Sequence, residues 1–186
     1  MAFISTPNDP ELFDANRAPA GHVPNYVRTF AARPAVYEAW KQLNSAIKES
    51  MDLRRYELAT LAAATAMRSS YCSLAHGEVL ADKFYTAEEV AALVEEPAND
   101  PVDRGVMAFA RKVALAADTV TQADVDELKA LGLTDADILD VTLAAAARAF
   151  FSKTLDGTGT QPDAAYQNLP ETLRTALTVG RPIYSG

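Results

Sequence analysis

A chain of 186 residues, 49% hydrophobic and 23% charged, has the balance of a folded protein built around one core, and no uncharged apolar run reaches the roughly 18 residues of a bilayer span. Disorder and a membrane span are both excluded. The formal charge of -8, from 17 Lys and Arg against 25 Asp and Glu, repels phosphate backbones and anionic lipid, so neither nucleic acid nor a membrane surface is an expected partner.

The first residues hold no basic segment before Asp9 and Glu11, and Pro7, Pro10 and Pro19 interrupt any period, so an irregular N-terminal arm is expected over 1–20, with no helix established before residue 28 and no signal peptide. Pro34 then opens a helix in which Val36, Trp40, Leu43 and Ile47 form the expected buried stripe. Asp52 or a neighbour caps a second helix, from Leu53 to Arg68, whose interior from Leu58 to Met67 carries no charge on any face. Such a helix belongs at the centre of a fold.

Ser69 and Ser70 are good N-cap residues for a third helix running past Cys72, Leu74, His76 and Leu80 to Phe84. Thr86 with Glu89 reads as a capping box for a short helix ending before Pro97, and Asp100-Pro101 as a cap and first-turn proline for the next. Thr121 with Asp124 opens a helix ended by Gly132, and Thr134 with Asp137 opens a long one through Ile138, Val141, Ala145 and Phe151 to Gly157. A polar tail over 158–186 has room for one short helix from Pro170 to Leu177. Alanine, the best helix former, is the commonest residue, and no stretch alternates as a strand does, so the expected fold is all-α, with one domain over 1–186.

Cys72 is the single cysteine, which excludes an intrachain disulfide and points to a reducing, cytoplasmic setting. It lies four residues before His76, so the two share a helix face within hydrogen-bond reach. A thiolate is the reactive form of cysteine, and both an imidazole and a helix first turn favour it. The same spacing also suits a buried small hydrophobe beside a core histidine. Glu57 is the acid at the start of the apolar second helix; in one straight helix it would lie about 18 Å from Ser69, so meeting the thiol requires a bend at Ser69-Ser70 or an acid from another subunit. His22 and His76 with one cysteine make no zinc set, and no Gly-rich nucleotide loop or nucleophile-elbow serine is present, so neither a metal nor a cofactor is expected. Asp100, Asp124, Asp135 and Asp137 are assigned to helix starts.

Taken together, Gly21-His-Val-Pro-Asn25, Arg33-Pro34, Leu53-Arg-Arg-Tyr-Glu57-Leu-Ala and Tyr71-Cys72-Ser-Leu-Ala-His76-Gly resemble, in order and spacing, the carboxymuconolactone decarboxylase and alkylhydroperoxidase D superfamily. Asp100-Pro-Val-Asp-Arg104, Val120-Thr121 and Gly132-Leu-Thr-Asp135 continue the likeness, which covers roughly Gly21 to Leu155. The peroxidase branch carries Glu-x11-Cys-x2-Cys-x3-His, and Glu57, Ser69, Cys72 and His76 stand at those places. Ser69 replaces the first motif cysteine, so the two-thiol cycle is not open to this chain unaided. The resemblance implies Cys72 as reactive thiol, His76 as its activating base and Glu57 as the acid of a proton relay. Tyr71 stands where some members carry a histidine. It further implies an AhpD-like bundle of about six to eight helices assembling as a homo-oligomer, a trimer or hexamer, with the pocket near a subunit contact.

Three functions follow. The first is a one-cysteine peroxidase-like enzyme, reducing an organic hydroperoxide through Cys72 with an external thiol as reductant. The second is a decarboxylase or isomerase in which Glu57 and His76 move protons on a small carboxylated lactone. The third is a non-catalytic oligomer that binds a small apolar ligand.

Overall fold

The computed structural model describes residues 2–185. Among them are ten α-helices and no strand: α1 (Pro10–Ala15), α2 (Asn25–Phe30), α3 (Pro34–Glu49), α4 (Leu53–Ala66), α5 (Ser70–Lys83), α6 (Ala87–Glu95), α7 (Pro101–Ala116), α8 (Gln122–Ala130), α9 (Asp135–Gly157) and α10 (Glu171–Leu177). The all-α expectation holds, with more helices than the six to eight expected.

The caps act where the sequence places them. Asp52 accepts from the Arg55 N–H, Asp100 from the N–H groups of Val102 and Asp103, and Thr86 and Thr134 close capping boxes with Glu89 and Asp137. Each satisfies backbone donors that have no partner inside the helix. The arm departs from expectation. Rather than being irregular, it contains α1, capped by Asp9 with Pro10 in its first turn, and α2 after Pro24, both too short for hydrophobic periodicity to register.

Helix α4 is the axis of the molecule, packed against α5, α7 and α9, and Leu58, Ala59, Leu61, Ala62, Ala63 and Ala64 on it are fully buried. Small alanines on every face let three neighbours approach it closely. Half of the stripe expected on α3 holds, at Trp40 and Ile47, and half does not. Tyr37, Trp40 and Ile47 are buried, whereas Val36 and Leu43 face outward, because the large rings of Tyr37 and Trp40 pack against Phe30 and Phe151.

The turn between α4 and α5 sets up the site. The Ser69 N–H bonds back to Ala64 O and the Arg68 N–H to Thr65 O, with Arg68 at φ 58, the closing pattern of a helix whose next residue is left-handed. The chain therefore reverses at Met67–Ser69, and α5 runs back along α4.

Candidate active site

That reversal brings His76 of α5 against Glu57 of α4. His76 Nδ1 lies 2.5 Å from Glu57 Oε2, and Lys48 Nζ of α3 lies 3.5 Å from Glu57 Oε1. The bend that the sequence requires is present, and its product is an acid–imidazole contact. Burial, followed by the positive charge of Arg148, pushes His76 down to about 4, against the pull of Glu57. Burial also pushes the Glu57 carboxyl up, but the His76 hydrogen bond and the Lys48 charge outweigh it and hold Glu57 below the usual carboxylate range. At neutral pH the pair is a neutral imidazole whose Nδ1–H is donated to a carboxylate. That tautomer leaves Nε2 as a base.

Cys72 sits in the first turn of α5, buried, and its thiol does not hydrogen-bond to His76. Its partner is Arg148 of α9, whose Nη1 lies 3.6 Å from Sγ. The one-turn spacing does place Cys72 and His76 on one helix, but Glu57 holds the imidazole and a guanidinium meets the sulfur. Arg148 is itself buried, at 5% exposure, beside the stacked pair of Trp40 and Phe151, with each ring centroid 5.6 Å from its guanidinium. Its Nη2 donates to Tyr56 OH at 3.4 Å, while Tyr56 OH donates to Asn44 Oδ1 at 2.7 Å. Burial lowers the Arg148 pKa and the charges of Cys72 and Tyr56 raise it, with a net rise. That contact puts a permanent positive charge beside the sulfur.

Tyr71 turns elsewhere. Its hydroxyl donates to Asp163, a buried residue of the C-terminal tail, which also accepts the Asn25 N–H at 2.7 Å. Burial, and then the Asp163 charge, raise the Tyr71 pKa far above its ordinary value, so the phenol stays neutral. Tyr71 forms an aromatic layer with Tyr26 and Tyr166 and is not hydrogen-bonded to the Glu57–His76 pair. Ser69 is the N-cap residue of α5, and its fully buried side chain does not cap the helix.

Arg148, Lys48 and Tyr56 are the site residues that sequence reasoning missed. Arg148 had a signal: it continues the buried spacing Ile138, Val141, Ala145 as a lone charge on the stripe. Beside the cluster opens a groove of about 360 Å³, lined by Tyr26, Tyr37, Trp40, Phe151, Lys48 and Arg148 among others. No group of three His, Cys, Asp or Glu side chains that could hold a metal occurs among the described residues.

Comparison with known proteins agrees with this architecture. Residues 34–111 match the carboxymuconolactone decarboxylase family. The chain is similar in structure to a peroxidase-related protein with an alkylhydroperoxidase AhpD core from Ralstonia eutropha JMP134, with a TM-score of 0.79 and 23% identity over 89% of this chain and 94% of that one. A peroxidase-related protein from Silicibacter sp. TM1040 gives 0.78 and 20% over 90% and 94%. The debrominase Bmp8, as a cysteine-to-alanine variant in complex with 2,3,4-tribromopyrrole, gives 0.76 and 18% over 93% and 97%. No curated protein matches the sequence.

Proposed function

We propose that this chain, whose residues 34–111 match the carboxymuconolactone decarboxylase family and whose fold is AhpD-like, is a one-cysteine, thiol-dependent peroxidase acting on an organic hydroperoxide. The observation that carries the reading is a lone thiol in a helix first turn, hydrogen-bonded by a buried guanidinium and placed one helical turn from an imidazole locked by a carboxylate.

His76 Nε2, one helical turn from Cys72 and not hydrogen-bonded to it at rest, is the base that takes the thiol proton on substrate entry, and Arg148 balances the thiolate. Sulfur attacks the terminal oxygen of the hydroperoxide; the S–O bond forms, the O–O bond breaks, and the departing alkoxide takes the proton from His76, whose imidazolium, disfavoured by burial and Arg148, gives it up readily. Cys72 is left as a sulfenic acid. One external thiol condenses with it, releasing water and forming a mixed disulfide, and a second external thiol displaces Cys72 and leaves as the disulfide of the reductant. Ser69 takes no part, so the reductant supplies both thiols.

A second reading has its own observation: the groove beside the site is walled by aromatic rings, and a debrominase of the same fold binds a brominated pyrrole. Under it, two external thiols supply the electrons that replace bromine by hydrogen. The test is rapid-mixing oxidation of Cys72 by tert-butyl hydroperoxide with sulfenic-acid trapping, beside bromide release from a bromopyrrole. Trapped sulfenate in wild type, absent in Cys72→Ser and slowed in His76→Ala, is the expected result. Bromide release without sulfenate selects the second reading. Turnover of a carboxylated lactone that survives Cys72→Ser but not His76→Ala sinks both in favour of acid–base chemistry.

A further inference from the structure

The groove has a charge pattern that the peroxidase chemistry uses only at the Arg148 edge nearest Cys72. Three cations line it, Lys41, Lys48 and Arg148, and no Asp or Glu does, in a chain of net charge -8. Each lysine has an acid beside it: Lys41 pairs with Glu38 at 2.8 Å and Lys48 with Glu57 at 3.5 Å. Arg148 has none. Among the described residues its hydrogen bonds go to the Cys72 sulfur and, at a long 3.4 Å, to a phenol, and its buried Nε has no partner. Burying a guanidinium with donors unfilled and no carboxylate opposite is costly, and an anionic ligand would offset that cost.

The walls say what else the ligand carries. Tyr26, Tyr37, Trp40 and Phe151 present rings to the groove, with Trp40 and Phe151 stacked 4.8 Å apart and Tyr26 and Tyr37 tilted at 6.0 Å. Rings of this kind favour a planar apolar body, and about 360 Å³ suits a single small ring system. The Arg148 guanidinium is a planar fork that matches a carboxylate better than a point anion.

We propose that the groove is the substrate subsite and that it takes the aromatic-acid body of a small hydroperoxide, with the ring among Tyr26, Tyr37, Trp40 and Phe151 and the carboxylate on Arg148. This rests on the thiol-enzyme reading above for the word substrate, and on the groove alone for the ligand. Trp40 is the chain's single tryptophan and lines the groove, so its emission reports occupancy directly.

Wild-type protein is titrated with benzoate, with its neutral counterpart benzamide and with cyclohexanecarboxylate, which keeps the charge and loses the aromatic ring. Benzoate is expected to change Trp40 emission saturably and to bind about tenfold or more tighter than benzamide, the value of a hydrogen bond to a charged group, with cyclohexanecarboxylate weaker than benzoate. Arg148→Met is expected to remove the benzoate preference, and Cys72→Ser to retain it. The comparison of benzoate with benzamide needs no variant, so a poorly folded Arg148→Met leaves it intact. Equal affinities for the two, or no saturable change with benzoate, overturn the proposal. If benzoate fails while tert-butyl hydroperoxide still oxidises Cys72, the subsite falls and the peroxidase reading stands; if benzoate binds and no hydroperoxide oxidises Cys72, the reverse holds.

Discussion

The Glu57–His76 contact makes stability depend on pH in a direction that the geometry fixes. His76 titrates near 6.5 when unfolded and near 4 when buried, so between those values the unfolded chain binds a proton that the folded chain refuses. Its contribution is complete above about 6.5 and is lost as the pH falls toward 4. Glu57, held below its ordinary value, adds a loss below about 4.5. The melting temperature is expected to fall by several degrees from pH 7 to pH 4, and more gently in His76→Gln; an identical slope in the variant would show that the imidazole is not the titrating group. Ser69 allows a second test at this scale. Ser69→Cys puts a thiol one turn before Cys72, so one equivalent of hydroperoxide is expected to leave an intrachain disulfide and no trappable sulfenate, whereas wild type gives sulfenate; mass spectrometry with and without a sulfenate trap separates the two. Cys72 and His76 could be put on one helix from their spacing because helix periodicity fixes which residues share a face, whereas Glu57 lies on α4 and meets His76 only through the turn before Ser70. The partners of Cys72 and Tyr71 were not legible, because Arg148 and Asp163 lie 76 and 92 residues further along the chain, and nothing local encodes those contacts.

Helices announce themselves through their ends. Thr86 with Glu89, Thr134 with Asp137 and Asp100 with Pro101 each satisfy backbone groups within a few residues, so the elements they start could be read without any tertiary information. Thr134→Ala is expected to cost about 1 kcal/mol, read by urea unfolding. The register of α3 was less legible: Trp40 and Ile47 are buried as their spacing predicts, but Phe30 and Tyr26 outside the helix decide for Tyr37 over Val36. The turn after α4 depends on a segment more than a hundred residues away. Gly180 donates its N–H to Ser70 Oγ at 2.7 Å, and a Cβ built there would stand 1.9 Å from the Arg68 carbonyl oxygen. The tail thus rests directly on the left-handed turn that folds α5 onto α4. Gly180→Ala is expected to destabilise by about 1–3 kcal/mol, a loss of several degrees in melting temperature, and to slow Cys72 oxidation because the Glu57–His76 contact depends on that turn. Unchanged melting would mean that the tail is not seated there.

At the scale of the whole molecule, α9 faces two ways. Its inner side supplies Arg148 and Phe151 to the groove, while Leu139, Leu143 and Phe150, spaced four and seven residues apart on one outer face, are exposed at 57%, 39% and 45%. Single exposed apolar residues are ordinary, but a row of them along one helix marks a surface that associates. The superfamily resemblance predicts a homo-oligomer, a trimer or hexamer, and this row is where a second copy would seat. The ring of Phe150 lies 5.6 Å from that of Trp40, so the outer row is joined to the groove wall, and an assembly built on it would order the site it borders. Leu143→Glu puts a charge at the centre of the row, away from every hydrogen bond of the site. Light scattering after size exclusion is expected to give a multiple of the 20.0 kDa chain for wild type and the chain mass for the variant. Turnover should fall with the assembly while helical content stays the same. A wild-type monomer with full activity would instead make the row an unused surface and leave each chain's site complete on its own.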